Sequence, residues 1–386
     1  MRPLRSIWHF AWALFSAASY GFPSRRLTVV GITGTKGKST TLELLSGMFE
    51  EAGVRTALLS SVYVKVGADR KRNLTGNSMP GRGFIQRFLR SAVRAGCRFA
   101  LVEVTSQGVL QHRHRFITFD AAGITNLAPE HIEAHGSFEA YRDAKLAFFR
   151  AVARSSRAPR LFVMEDDDAV SPFAAVAPGI TTRFALEETL MPPGALGEVN
   201  AENAALAAAI ARWFGVPEET IGSALRKFRG LPGRMEFVQK EPFGVVVDYA
   251  HTPDSLTKLY AALRKDYSGL VCVLGSAGGG RDKWKRSAMG TVAATHCRFA
   301  VLTDEDPYDE DPAAIIDDVE RGFKERSFSA YEKVLDRRAA IRRALACARP
   351  GEAVVLTGKG SETGIHRAHG VIEPWSETEE VRRALS

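Results

Sequence analysis

Apolar and polar positions from residue 27 onward alternate between short β-rich runs and stretches with helical spacing. The run LTVVGI at 27–32 predicts a strand, and the apolar positions within 42–49 recur on one helix face. FALVEV at 99–104 and AAGITNL at 121–127 predict further buried strands. Strands that alternate with helices are typical of a mostly parallel sheet, so we predict an α/β fold with a sheet of this kind in the central part of the chain.

A second α/β domain of Rossmann type is predicted after the turn LPGR at 231–234. Four β-rich runs there each end in a polar or glycine-rich loop: VVVDYAH, LVCVLGSAGGG, FAVLTDED and AVVLTGKG. Ligands bind at the carboxyl ends of parallel strands, so these loops should converge. We therefore expect an apolar helical segment at 1–26, a central nucleotide-binding domain at 27–232 and a C-terminal domain at 233–386.

The segment before the first strand differs from the rest. After Arg2 and Arg5, residues 6–24 contain no Asp, Glu, Lys or Arg and are rich in aromatic residues. A signal peptide, an interfacial membrane anchor and a helix packed on the next domain all fit this pattern.

Composition excludes a disordered chain, since 45% of the 386 residues are hydrophobic and 25% are charged. The formal net charge of +8 suits anionic partners such as nucleotides or phospholipid surfaces. The four cysteines are widely spaced, which predicts isolated reduced thiols rather than a zinc ribbon or a disulfide scaffold. No apolar run is long enough to predict a transmembrane helix.

The stretch GITGTKGKST at 31–40 predicts a phosphate-binding loop between a strand and a helix. Its glycines permit close backbone approach to a nucleotide, Lys38 would bridge the terminal phosphates, and the Ser39 hydroxyl would bind Mg²⁺. Ile32 occupies the first glycine position of the strict motif, so the pattern is GxxGxxGKST. The predicted phosphate contacts are Gly34, Thr35, Lys36, Gly37, Lys38, Ser39 and Thr40.

Two further segments supply candidate metal ligands. Glu103 ends a predicted strand, where a second magnesium contact is expected. If Ser137 caps a helix, Lys145 lies among aromatic residues on one helix face. Burial favours a neutral amine, which can react with CO₂ to give a carbamate that holds a metal. The alternative is a lysine that extends to solvent.

Nine stretches in order resemble the Mur ligase family of ATP-dependent amide-forming enzymes, most of all the UDP-N-acetylmuramoyl-peptide ligases that add the third residue of the peptidoglycan stem. The stretches are GITGTKGKSTT, EVTSQG, ITNLAPEHIEAHGSFEAYRDAKLAFF, GEVNAENAALAAA, LPGRMEFV, VDYAHTPDSL, GSAGGGRDKWKR, DPYDEDP and GKGSE. The resemblance implies phosphorylation of a substrate carboxylate by ATP, followed by attack of an amine on the acyl phosphate.

The resemblance also implies roles for individual residues. Two Mg²⁺ ions would be shared among Ser39, Glu103, His131 and a carbamate on Lys145, with Lys38, Glu103, His131 and Lys145 as the catalytic set. Asn203 would contact adenine. The C-terminal domain would contribute Arg234, Asp248 and His251 to the nucleotide site.

Three features depart from the family pattern. Only some 26 residues precede the first strand, where family members usually carry a uridine-binding domain, so we expect a lipid-linked or unusual donor carrier and membrane contact through residues 1–22. Diaminopimelate ligases have Asp-Asn-Pro-Arg where this chain has Glu305, Asp306, Pro307 and Tyr308, and Tyr308 removes the guanidinium that would bind a distal carboxylate.

The acidic residues near 304–310 instead indicate an acceptor with a positive side chain, such as lysine or ornithine, or a solvated loop. Glu362 would bind the acceptor amine, although Ser361 replaces the usual histidine. The third departure is the segment TGNSMPGRGF, in which Asn77, Ser78 and Arg82 would contact the donor.

The sequence thus predicts a cytoplasmic, monomeric ligase that joins an amino acid to a peptide or glycopeptide carboxylate and binds no nucleic acid. A folylpolyglutamate synthase-like or cyanophycin-type ligase is the alternative within the superfamily. A nucleotide-binding partner subunit without turnover is the alternative outside it.

Overall fold

The computed structural model describes residues 3–81, 83–130, 132–187, 195–280 and 283–386, without the side chains of residues 3 and 195–199. The chain divides into two compact units. The first comprises Met1–Pro129 and His135–Arg229, and the second comprises Glu130–Ala134 and Gly230–Ser386.

The first unit contains a sheet that, among its described residues, has eight strands in the order β4-β3-β2-β5-β1-β6-β7-β8. Its strands are β1 Thr28–Thr33, β2 Thr56–Leu59, β3 Tyr63–Val66, β4 Asp69–Arg72, β5 Phe99–Glu103, β6 Ala121–Ile124, β7 Arg160–Met164 and β8 Thr181–Phe184. At one edge, β3 pairs antiparallel with both β2 and β4, and the other neighbouring strands pair parallel. The predicted parallel sheet is thus confirmed.

The helices of the first unit are α1 Pro3–Ser19, α2 Lys38–Glu51, α3 Phe84–Arg94, α4 Ser106–Leu110, α6 Phe138–Ala153, α7 Ser171–Ala174, α8 Ala195–Trp213 and α9 Glu218–Lys227, with 3₁₀ turns at Pro23–Arg26 and Pro178–Ile180. The short helix α5 Ile132–His135 has its first three residues in the second unit. Ser137 caps α6 as predicted, because its side chain accepts a hydrogen bond from the Ala140 amide. Fully buried Val30, Leu101 and Leu206 lie in the core between the layers.

The second unit contains a six-stranded sheet among its described residues, in the order β13-β12-β11-β14-β10-β9, and a separate β15-β16 hairpin. The strands are β9 Glu236–Gln239, β10 Gly244–Val247, β11 Leu270–Leu274, β12 Phe299–Leu302, β13 Tyr331–Lys333, β14 Ala353–Leu356, β15 Gly364–His366 and β16 Ile372–Pro374. The helices are α10 Pro253–Asp266, α11 Lys285–His296, α12 Pro312–Glu325, α13 Arg337–Cys347 and α14 Glu377–Leu385, with a 3₁₀ turn at Ala368–Gly370.

Strands β10, β14, β11 and β12 all run parallel. Their carboxyl ends therefore lie at one edge of the sheet, and the four loops predicted to converge do so. The amide of Gly278, after β11, donates to the Asp306 carbonyl after β12, and the Gly358 amide, after β14, donates to the Ala250 carbonyl after β10.

The prediction of four isolated thiols is wrong for two of them. Cys272 on β11 and Cys297 after α11 form a disulfide, and their Cα atoms are 6.1 Å apart. A strand and the helix that follows it bring together two residues whose spacing in the sequence gives no pairing signal. Cys97 and Cys347 are free.

Across the parts of the chain that the structure describes, no helix is both long and apolar enough to cross a bilayer.

Candidate active site

The glycine-rich loop between β1 and α2 is tightly packed against its surroundings. Gly34 and Gly37 have φ values of +141° and +81°, which disfavour any side chain. A Cβ at Gly34 would lie 1.9 Å from Thr125 Oγ1, and one at Gly37 would lie 2.0 Å from Asn203 Oδ1. Both positions therefore require glycine for conformation and for space, as expected of a loop that brings its backbone against phosphate.

Thr125 and Asn126, just after β6, hold this loop in place. Thr125 Oγ1 donates to the Lys36 carbonyl at 2.6 Å. The Lys36 amide donates to Asn126 Oδ1 at 2.9 Å, and the Thr35 amide donates to the Asn126 carbonyl at 3.0 Å. Neither residue was identified from the sequence. Both follow the strand that pairs with β1, so the strand order of the sheet would have pointed to them.

Two lysine ammonium groups converge on the loop. Lys38 Nζ donates to the carbonyls of Gly34 and Thr35 at 3.0 and 2.9 Å. Lys145 Nζ donates to the same Gly34 carbonyl at 2.7 Å and lies 4.5 Å from the centroid of the Tyr141 ring. Lys145 is only 2% exposed, so the alternative of a solvent-directed lysine is wrong. Two positively charged side chains at one carbonyl favour either a bound anion beside them or loss of the charge on one of the two lysines.

Glu103 and Ser39 form the nearby oxygen pair. Glu103 is 3% exposed, and its Oε2 accepts hydrogen bonds from Ser39 Oγ at 2.7 Å and from the Ser61 amide at 2.9 Å. Ser61 Oγ also lies 2.8 Å from Ser39 Oγ. A buried carboxylate beside two hydroxyls is a set of hard oxygen donors that fits Mg²⁺. Ser61 is a neighbour that the sequence analysis did not identify.

Two predicted contacts remain, His131 with the metal and Asn203 with the nucleotide. His131 lies outside the described residues, and the described carboxylate, imidazole and thiol groups form no cluster of three or more that could hold a metal. Asn203 is buried; its Oδ1 accepts from Thr41 Oγ1 at 3.3 Å and its Nδ2 donates to Asn200 Oδ1 at 3.1 Å. These contacts tie α8 to the start of α2, and contact of Asn203 with adenine stays a prediction.

In the second unit, Arg234, Asp248 and His251 lie together at the end of β10. The Asp248 carboxylate accepts from the Met235 and Ala250 amides, both at 2.7 Å, which fixes the turn that contains Arg234. The Arg234 guanidinium lies 4.0 Å from the centroid of the Tyr249 ring. His251 Nε2 lies 3.0 Å from Glu130 Oε1, a buried carboxylate within the same unit.

The acceptor loop after β12 is mostly buried, with Asp309 exposed, and it is not uniformly negative. The Lys359 ammonium, itself 1% exposed, donates to Asp306 at 2.7 Å. Arg367 pairs with Asp304, and Arg286 donates to Glu310 at 3.0 Å. Most of the predicted negative charge is therefore neutralised by cations of the same unit.

Glu305 is the exception in this loop. It is 5% exposed, and among the described residues its Oε2 is buried without a hydrogen-bond partner. Burial, with Asp306 beside it, raises the pKa of the Glu305 carboxyl to about 7. The ring of Tyr308 stacks on His366 with centroids 5.0 Å apart, so it packs against the β15–β16 hairpin. Glu362 is half-buried and accepts from the Gly360 amide at 2.8 Å.

The predicted donor loop precedes α3. Asn77 is exposed and its Oδ1 accepts from the Met79 amide at 2.9 Å, while Ser78 is half-buried. The loop is organised by buried Asn73, whose Nδ2 donates to the Ser60 and Asn77 carbonyls. Arg82 lies outside the described residues.

The Gly34→Ala variant should lose nucleotide binding by at least about tenfold, because the added Cβ displaces Thr125 and the backbone would be strained. Equilibrium binding of a fluorescent ATP analogue measures this. Gly47→Ala, in the middle of α2 with no atom within 4 Å of the new Cβ, is the matched control and should bind normally with slightly higher stability. Normal binding by Gly34→Ala would contradict the role given to the loop.

Comparison with known proteins agrees with this geometry. Residues 32–189 match the Mur ligase middle domain, and residues 233–360 match the Mur ligase glutamate ligase domain. A UDP-N-acetylmuramyl-tripeptide synthetase of Roseiflexus sp. is 36% identical over 97% of this chain and 82% of its own length. A UDP-N-acetylmuramoyl-L-alanyl-D-glutamate–2,6-diaminopimelate ligase of Geobacillus kaustophilus is 33% identical over 94% of this chain and 80% of its own.

Solved structures give the same result. The solved structure of a UDP-N-acetylmuramoyl-L-alanyl-D-glutamate–2,6-diaminopimelate ligase has a TM-score of 0.60 and 26% identity to this chain. The match covers 93% of this chain and 78% of that one. A Mycobacterium tuberculosis folylpolyglutamate synthase has a TM-score of 0.74 over 91% of this chain and 92% of that one, but at 17% identity it shows the fold alone. The ordered motifs, the matched domains and these relatives together show that the chain belongs to the Mur ligase family of ATP-dependent ligases.

Proposed function

We propose that this protein joins an amino acid to the carboxylate of a muramyl peptide in peptidoglycan precursor synthesis, with ATP converted to ADP and phosphate. The observation that carries the proposal is the arrangement around the glycine-rich loop. Lys38 and Lys145 contact one carbonyl of that loop, and the Ser39–Glu103 pair lies at the start of the helix that follows it. This is the charge distribution needed to bring a triphosphate and a carboxylate together.

In the proposed reaction, the loop amides and Lys38 hold the phosphates, and the donor carboxylate attacks the γ-phosphorus so that ADP leaves. The acceptor amine then attacks the acyl phosphate, the C–O bond to phosphate breaks, and the amine loses a proton. Ser39 and Glu103, with His131 and Lys145, are the residues that would hold Mg²⁺. When bound, the metal neutralises negative charge on the transferred phosphoryl group.

The proposed form of Lys145 is a carbamate. The ammonium first loses one proton, and the neutral nitrogen then adds to the carbon of CO₂ and loses a second proton. The side chain therefore changes from a cation to an anion with two protons released in all. The buried position among Tyr141 and the loop backbone supports this proposal, because a neutral amine is the reactive form and burial favours it. The change would also remove the repulsion between Lys145 and Lys38.

For the acceptor, we propose an amino acid with a cationic side chain, such as lysine or ornithine. Two features support it: Glu305 has an unpaired buried oxygen, and Tyr308 stands where diaminopimelate ligases have arginine. We keep Glu362 as the proposed contact of the acceptor α-amine. Arg234, Asp248, His251 and Asn203 stay proposed nucleotide contacts, and Asn77, Ser78 and Arg82 stay proposed donor contacts.

Glu305→Gln should raise the acceptor KM about tenfold or more at pH 8 with a smaller change in kcat, because a buried charge partner is lost. It should also change stability with pH. The folded pKa lies above the ordinary value of 4.5, so ionisation disfavours the folded state as pH rises from about 4.5 to about 7. The difference in unfolding free energy, variant minus wild type, should therefore grow by up to about 3 kcal/mol between pH 4.5 and pH 8.

Urea unfolding at both pH values and acceptor titrations measure these effects. Asp309→Asn, an exposed carboxylate in the same loop, is the control and should change neither quantity. A pH-independent difference for Glu305→Gln would show that its carboxyl titrates normally.

A phosphate-release screen tests the function as a whole. The protein is incubated with ATP, Mg²⁺, UDP-linked or lipid-linked muramyl dipeptides, and the twenty amino acids with ornithine and diaminopimelate. Phosphate release that requires both a muramyl donor and a cationic acceptor is the expected result. Release with a folate and glutamate would favour the folylpolyglutamate alternative, and no release with any pair would favour a partner subunit without turnover.

We also propose that the protein acts as a monomer in the cytoplasm, at the inner face of the membrane. Light scattering of the purified chain tests whether it is a monomer. The surface of α1 is relevant to the location at the membrane.

A further inference from the structure

Helix α1, Pro3–Ser19, is packed with its small and polar side inward. Ser16 and Ala17 are buried, and Ser6 Oγ lies 2.8 Å from His112 Nε2 of the first unit. The large apolar side chains of the helix are instead between 39% and 81% exposed: Leu4, Ile7, Trp8, Phe10, Trp12, Leu14 and Phe15. A helix that served only to cover its own domain would bury its large apolar residues, so this orientation indicates a second, apolar partner.

Three chain segments, one of which includes this helix, contain no acidic residue. Asp and Glu are absent from residues 3–42, 70–102 and 104–119. The first of these segments includes α1, and the other two contain residues that lie next to it. A Cβ on Gly83 would lie 3.2 Å from Ser16 Oγ, and the Phe10 ring contacts His112 and Phe116.

Exposed arginines follow or flank the apolar face. Arg5 lies on α1 itself, and Arg25 and Arg26 lie in the turn after it. These exposed arginines beside the apolar face complement an anionic surface. A second copy of this chain fits less well, because a symmetric contact would bring the same arginines against one another.

We propose that α1 lies flat in the headgroup region of an anionic phospholipid bilayer. Seventeen residues span about 25 Å as a helix, less than the roughly 30 Å of a hydrocarbon core, so the helix lies on the bilayer and does not cross it. Trp8, Trp12 and Phe15 form an edge-to-face series on the exposed side, with centroids 5.8 and 5.7 Å apart. Such rings prefer the membrane–water interface. The inference rests on the proposed peripheral location but not on the proposed chemistry.

Vesicle co-sedimentation of the full chain tests the proposal without any turnover. Vesicles of phosphatidylcholine alone are compared with vesicles that contain phosphatidylglycerol, at low and high salt. Binding should require the anionic lipid and should fall at 0.5 M salt, since the arginine contribution is screened. Brominated acyl chains should quench the tryptophan fluorescence of bound protein, and Trp8→Phe with Trp12→Phe should remove most of that quenching.

The double variant Ile7→Glu, Phe15→Glu should bind anionic vesicles at least about tenfold more weakly, because it places two charges in the apolar face. Val371→Glu with Ile372→Glu, at two positions that are each 57% exposed in the second unit, makes the same change in charge and should bind as wild type does. Circular dichroism confirms that both variants fold, and phosphate release without vesicles reports the ligase chemistry separately.

Three results would overturn the proposal. The first is a failure of the protein to sediment with anionic vesicles, and the second is a control variant that loses as much binding as the α1 variant. The third is a dimer, seen by light scattering, that the α1 variant dissociates while neither form binds lipid. That result would make a second copy the occupant of this face.

Discussion

Replacing Lys145 by alanine will reduce turnover by about a thousandfold while nucleotide affinity changes far less. The physical reason is position: Lys145 Nζ reaches the Gly34 carbonyl at the phosphate loop, but Lys38 makes its own contacts there and remains. Steady-state ADP release gives the turnover, and titration with a non-hydrolysable ATP analogue gives the affinity.

Two further variants distinguish a carbamate on Lys145 from an unmodified, positively charged lysine. Lys145→Arg keeps the positive charge but cannot form a carbamate, so it should be as inactive as Lys145→Ala. Lys145→Glu keeps a carboxylate with a shorter reach and should retain more activity than either. Wild-type activity should also fall in CO₂-free buffer and recover with bicarbonate.

An active Lys145→Arg variant would show that positive charge, not a carbamate, is what the reaction needs. Equal loss of turnover and nucleotide affinity in Lys145→Ala would assign the lysine a structural role in holding the loop.

The Glu103→Gln variant will lose about a hundredfold or more in kcat/KM and will need a higher Mg²⁺ concentration for half-maximal rate. Glutamine can still accept from Ser39 Oγ and the Ser61 amide, so the local fold should persist. What is lost is the negative charge that a divalent cation requires. Rates measured over a range of Mg²⁺ concentrations test this.

The matched control is Glu43→Gln, another buried carboxylate of the first unit. Glu43 pairs with Arg70 of β4, and burial raises its pKa. Its substitution should leave the Mg²⁺ dependence unchanged. If Glu43→Gln and Glu103→Gln behave alike, the effect of Glu103 comes from lost stability and not from metal binding.

The phosphate loop was predictable because its signals are local. Glycine spacing, a β-rich run before it and a helix after it lie within one short stretch, and β1 and α2 form there as predicted. The position of Glu103 was also predictable, since it ends β5 and pairs in register with Ile32 of β1. Ser61 and Asn126 were missed because single polar residues after strands carry no local signal of their neighbours.

The acceptor loop shows the opposite case. A run of acidic residues indicated negative charge, but Lys359, Arg367 and Arg286 come from distant positions and neutralise most of it. Pairing of this kind depends on which loops meet at the edge of the sheet. The sequence alone could not single out Glu305.

The sequence by itself determined the two α/β units, the glycine-rich loop and the family, because these depend on hydrophobic period, glycine spacing and motif order. Only the tertiary structure decided that Lys145 is buried against Gly34, that Cys272 bonds Cys297, and that α1 turns its large apolar side chains outward. Those outcomes depend on contacts between residues far apart in the chain, and the free energy of such contacts is set by burial and charge in the folded state.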